Sequence, residues 1–150
     1  MSSLLKTRLS QTLLLTDGLA GSLREAQLAN RIGNVPSNSI GSQFWCIVGA
    51  RESYGKAIAA SKWQGFSCSL SKPATKILPS LQAALERSRE EVMEHVNNNE
   101  MTAERLSILV DLLEHEALHQ GQLIRYFYAN NITFPDDFAD RYALAQPKKG

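Results

Sequence analysis

Apolar residues recur along this chain in steps of mostly three to five, and nowhere in the strict alternation of a half-buried strand. Leucines at 5, 9, 13, 19, 23 and 28 predict a first helix from Leu4 to Ile32, with Gly18 and Gly21 marking a close helix contact or a kink. Gly33-Asn34-Val35-Pro36 reads as its stop, with glycine placed for a left-handed residue and proline unable to continue a helix. Ser37, Asn38 and Ser39 are good N-cap types. Ile40, Phe44, Ile47, Tyr54 and Ile58 then predict a second helix reaching about Ala60. Ser61 to Lys76, with Gly65, Pro73 and several serines, reads as the longest loop. A third helix is expected from about Ile77 or Ser80 to Val96, ending in Asn97-Asn98-Asn99. Thr102, with Arg105 where a capping box has Glu, begins a strongly periodic fourth helix reaching Asn130. The segment after Pro135 reads as an acidic tail, and Pro147 to Gly150 is expected to fray. Four helices, each with one apolar stripe and polar connections, predict an all-α four-helix bundle.

Composition narrows the class. The 150 residues are 43 % hydrophobic and 21 % charged, which predicts one self-sufficient domain over 1–150 rather than a disordered chain. With 16 basic and 15 acidic side chains the net charge is +1, too small a field to recruit nucleic acid or an anionic membrane. Lys6, Arg8 and Gln11 interrupt the apolar residues of Met1–Leu15, which therefore does not read as a signal peptide, and no run approaches the roughly 18 apolar residues of a membrane span. Cys46 and Cys68 form no CxxC pair, so reduced thiols in the cytoplasm are expected.

The fourth helix carries the candidate chemistry. Ile108, Leu112, His115, His119, Gln122 and Tyr126 advance by alternating steps of four and three, so two histidines continue its apolar face. Imidazoles one turn apart can both reach one ion at about 2.0 to 2.1 Å. The same residues spell His-Glu-x-x-His, in which zinc peptidases use the glutamate as general base. A peptidase needs a third downstream ligand, yet no histidine follows His119, and Asp136, Asp137 and Asp140 lie beyond the helix. Glu116, about 100° around from His115, is placed either to reach a metal-bound water or to face solvent. Gln122 is placed either to orient a ligand or to bond a neighbouring helix, and Gly121 to admit close packing. His95 reads as a surface residue, Arg51 and Glu52 as members of structural pairs, and Trp45, Trp63, Phe66 and Tyr126 as walls of the core or pocket.

The words around the histidines add a resemblance. His115-Glu116-Ala117-Leu118-His119-Gln120-Gly121-Gln122-Leu123 resembles the closing helix of the DinB-like proteins, H-x-x-x-H-x-G-Q-L/I. The segment from Asn38 to Tyr54 resembles that family's second helix, so the likeness spans most of the chain. It implies an up-down-down-up four-helix bundle, often a homodimer, with a divalent metal held by one histidine of the second helix and two of the fourth. Zinc is favoured, with nickel, iron or manganese as other candidates. Carried over, the last two ligands fall on His115 and His119, and the first on Cys46, where the family has histidine. A thiolate binds zinc at about 2.3 Å, so a Cys46/His115/His119 set with an open fourth position is chemically reasonable; the other reading makes Cys46 an apolar filler.

The resemblance implies a metal-dependent enzyme of thiol S-transferase or hydrolase type, acting on a small molecule such as a low-molecular-weight thiol. The second reading is a non-catalytic, stress-associated binding protein whose metal site is degraded by the Cys46 replacement.

Overall fold

The computed structural model describes residues 1–148, and among them every regular element is helical. Helix α1 spans Ser2–Gly21 and buries Leu9, Leu13, Thr16, Leu19 and Ala20. It ends eleven residues short of Ile32, the expected end. Leu23 and Leu28 keep the core spacing, but the second lies on a separate 3-10 turn, Glu25–Ala29. Arg24, in extended conformation, starts that turn, and its N–H donates to the Gln27 Oε1 at 2.8 Å. Gly33, at φ +45°, takes the left-handed position its place in the stop requires.

Helix α2, Ile40–Ala60, opens on Ser39, whose hydroxyl accepts from the Ser42 N–H at 3.2 Å, an N-cap of the expected kind. A 3-10 turn over Pro73–Lys76 leads into α3, Leu78–Asn98, and α4 covers Ala103–Ala129. The Thr102 hydroxyl caps α4 by accepting from the Arg105 N–H. The expected acidic tail contains a fifth helix, α5, Asp136–Tyr142, which buries Phe138 and Ala139; Lys149 and Gly150 of the expected frayed end lie outside the described residues. No helix among the described residues is long and apolar enough to cross a membrane.

Helix α1 packs on α3 and α4, and α2 packs on the same two, so each helix of one pair touches both helices of the other. Two apolar clusters form the core. One gathers Leu19, Phe44, Ile47, Leu81, Leu123, Phe127, Phe134 and Phe138; the other gathers Leu9, Leu13, Ile58, Val92, Val96, Leu109 and Leu112.

The 61–76 segment is pinned onto α2. Ser53 Oγ donates to Ser67 O and accepts from the Ser67 N–H at 2.9 Å, and the Ser69 N–H donates to Glu52 at 2.8 Å. Trp45 Nε1 donates to Leu70 O at 2.9 Å. Gly49 makes the fit possible, because a Cβ there would stand 2.3 Å from Phe66 Cζ. The close-contact glycines are Gly41, Gly49 and Gly55, whereas Gly18, Gly21 and Gly121 have nothing within 4 Å. The expectations of a tight helix contact at these last three are therefore corrected. Trp63 and Phe66, expected as walls, are 52 % and 51 % exposed.

Candidate functional site

Helix α4 places its two histidines one turn apart, with ring centroids 4.5 Å from each other and planes inclined by 50°. His119 is buried, 8 % exposed, and His115 is half-buried beside Tyr54, whose ring centroid is 6.3 Å away.

His119 is oriented from α2. Its Nδ1 lies 2.6 Å from Gln43 Oε1. The other end of that amide, Nε2, donates to Asn38 Oδ1 at 2.8 Å, and the Tyr126 hydroxyl donates to the Asn38 backbone carbonyl at 2.8 Å. With Gln43 Nε2 used as a donor, its oxygen is an acceptor, so His119 carries its proton on Nδ1 and keeps the Nε2 lone pair. Histidines that bind metals are commonly held in this way, through a carbonyl on the nitrogen that faces away from the ion. His115 Nδ1 is buried with no hydrogen-bond partner among the described residues. A buried, unpaired imidazole nitrogen loses its water and gains nothing in exchange, which is the condition under which a ligand is welcome.

Both rings are held neutral. Burial pushes His119 down to about 4, with the neighbouring His115 adding to the effect. Burial lowers His115 as well, against an opposing pull from Glu116. Neutral imidazoles at pH 7 are donors of electron pairs, as metal binding and general-base roles require.

The other expected members fall elsewhere. Among the described residues no three His, Cys, Asp or Glu side chains gather into a group able to hold a metal ion, so Cys46 does not complete a set with His115 and His119. Cys46 opens instead on a cavity of about 370 Å³ lined by Asn38, Ser42, Trp45, Lys72, Thr75 and Lys76. Glu116 does not face solvent: it is fully buried and paired with Arg51 at 2.5 Å. Gln122 is exposed at the edge of a second cavity, which it shares with Gln43, Asn38, Arg125 and Tyr126. His95 is half-buried rather than superficial, its ring lying against Gly55 of α2. Pairs involving Arg51 and Glu52 are present as expected, and the first is a hub: Arg51 donates to Asp17 at 2.7 Å, to Glu116, and to the carbonyls of Leu13 and Leu85 at 3.0 Å.

No family model, curated protein or solved structure matches the chain.

The site is thus two neutral imidazoles, one pre-oriented and one with an unpaired Nδ1, with no third ionisable ligand beside them among the described residues. Sequence reading missed Gln43 and Asn38. Gln43 is a polar side chain on a helix that is otherwise buried almost throughout, and that was the available signal.

Proposed function

We propose that this chain is a cytoplasmic DinB-like protein, an up-down-down-up four-helix bundle, in which His115 and His119 hold a divalent metal between α4 and α2, zinc foremost. The unpartnered His115 Nδ1 beside a His119 already oriented by Gln43 is the observation that carries this reading. The donor set fits a borderline-soft ion such as zinc, for which neutral imidazole is a standard ligand. Two protein ligands leave several coordination positions for water or a small molecule. A bound divalent ion supplies Lewis acidity, lowering the pKa of a coordinated thiol or water. A low-molecular-weight thiol suits such a site as substrate, in a transfer or hydrolysis reaction. His115 and His119 would hold the ion, Gln43 fixes the His119 tautomer so that its Nε2 lone pair is available, and Tyr54 lies beside His115 with ring centroids 6.3 Å apart. Pairing of two copies belongs to the same reading, and sedimentation would measure it.

A second reading has its own support. The lack of a third ligand among the described residues and the engagement of Glu116 by Arg51 favour a non-catalytic, stress-associated binding protein with a reduced metal site. The engaged glutamate also argues against a peptidase, since it cannot serve as the base acting on water. Metal titration of protein made without a histidine tag or chelator tests the proposal. One zinc per chain is expected, lost in His115→Ala and His119→Ala and kept in Cys46→Ser. Equal uptake by the wild type and both histidine variants would overturn it. Turnover of thiols with electrophiles by the loaded protein then separates enzyme from binding protein.

A further inference from the structure

Cys46, released from the histidines, has a different setting. Its cavity holds two lysines, Lys72 and Lys76, and neither ammonium is in a salt bridge among the described residues. Lys72 Nζ lies over the Trp45 ring, 5.5 Å from its centroid, which holds its charge at the wall of the cavity. The second cysteine is close by. Cys68 Sγ donates to the Trp45 carbonyl at 3.6 Å, and Cys68 Cβ is 3.1 Å from where a Cβ on Gly49 would stand. Trp45 and Gly49 bracket Cys46 within one turn of α2, so the chain's only two thiols occupy neighbouring ground, one on the helix and one on the segment pinned to it. Both are half-buried and both are free.

We propose that Cys46 is a thiol–disulfide exchange site for anionic low-molecular-weight disulfides, with Cys68 as the resolving thiol. The lysines supply the selectivity: a carboxylate-bearing disulfide, RS–SR, is drawn into the cavity by Lys72 and Lys76. The Cys46 thiolate attacks one of its sulfurs; a Cys46–SR bond forms, the S–S bond breaks, and RS⁻ leaves and takes up a proton. The Cys68 thiolate then attacks the Cys46 sulfur and expels the second RS⁻. The two protein thiols are oxidised to one disulfide and RS–SR is reduced to two RSH, a two-electron exchange with no other reactant. The product fastens the 61–76 segment to α2. Burial raises the pKa of the Cys46 thiol, with Lys72 opposing, so at neutral pH the thiolate is scarce and local enrichment of the anionic disulfide governs the rate.

The experiment uses the full chain with three probes: oxidised glutathione (anionic), bis(2-hydroxyethyl) disulfide (neutral) and cystamine (cationic). In Cys68→Ser, intact-mass and peptide mapping should find a glutathione adduct on Cys46, formed about tenfold faster at low salt than the cystamine adduct. Lys72→Gln/Lys76→Gln, two exposed positions, should remove that preference without altering the melting curve. The wild type should end as a Cys46–Cys68 disulfide with no retained glutathione. Absence of any adduct, equal rates with anionic and cationic probes, or a mixed disulfide that persists in the wild type would overturn the proposal. None of these readouts depends on metal binding by the histidines.

Discussion

Gln43 controls what His119 can do with its lone pair. Its oxygen lies 2.6 Å from Nδ1, while its nitrogen is committed to Asn38, so the Nδ1–H tautomer is enforced from α2 and not by α4 itself. Nitrogen-15 shifts of the histidine ring should therefore report a protonated Nδ1 and a bare Nε2 at pH 7. Gln43→Leu, which removes the acceptor and keeps the bulk, should return His119 to a mixture of tautomers. On the metal-binding reading it should also weaken zinc affinity by about 10- to 100-fold, the usual cost of losing a group that orients a metal-bound histidine. An unchanged ring spectrum in Gln43→Leu would show that the hydrogen bond does not set the tautomer. Gln122, although it shares the histidine face, is exposed and should tolerate alanine with little change in either measurement.

Among the elements, α2 is the one whose surroundings demand most of its sequence. It is buried on nearly every side, by α3, by α4 and by the 61–76 segment. Gly49 lies under Phe66, and a methyl group at that position would meet the ring at 2.3 Å. The atoms met are the far end of a half-exposed ring that is free to swing outward, and alanine favours the helix by about 0.5 to 1 kcal/mol. Gly49→Ala should therefore lift Phe66 away from Trp45, a change visible in tryptophan fluorescence, while stability moves by no more than about 1 kcal/mol. Unaltered fluorescence would show that the ring does not cover this position.

The same crowding explains what the sequence could and could not tell. Helix α4 was legible, together with the shared face of His115 and His119, because one clear apolar stripe fixes a helix's rotation. Helix α2 lacks that contrast: small and apolar residues surround it, so its spacing marks a helix without saying which side meets α4. Gln43 turns toward His119, while Cys46 opens on the lysine cavity. The end of α1 was hidden because Leu23 and Leu28 remain core residues after the helix has stopped. Helix α5 escaped notice because seven residues beginning with two aspartates carry too little pattern to rise above a tail.

Across the whole molecule the four long helices are tied together by one buried cation. Arg51 of α2, fully enclosed, reaches Leu13 O and Asp17 of α1, Leu85 O of α3 and Glu116 of α4, and Asp17 is shared with Arg89 of α3 at 2.7 Å. Arg51→Ala would leave Glu116 enclosed without its partner, so urea unfolding should show a loss of about 3 to 5 kcal/mol. Glu116→Gln, which keeps an acceptor and leaves Asp17 in place, should cost less.

Acid acts on the whole fold by a different route, through His119. In the folded chain this ring resists protonation until about pH 4, against an ordinary value of 6.5. Between those limits the unfolded chain takes up a proton that the folded chain refuses, so stability falls as pH drops through this window and is fully present above it. The gap corresponds to at most roughly 3 kcal/mol. Urea unfolding of metal-free protein from pH 7.5 to 4 should show this decline, and His119→Gln, which has no such proton to refuse, should flatten it. His115 is displaced in the same direction, so a smaller slope should survive in that variant. Stability that stays level from pH 7.5 to 4 in the wild type, or a decline just as steep without His119, would contradict a buried neutral imidazole at this position.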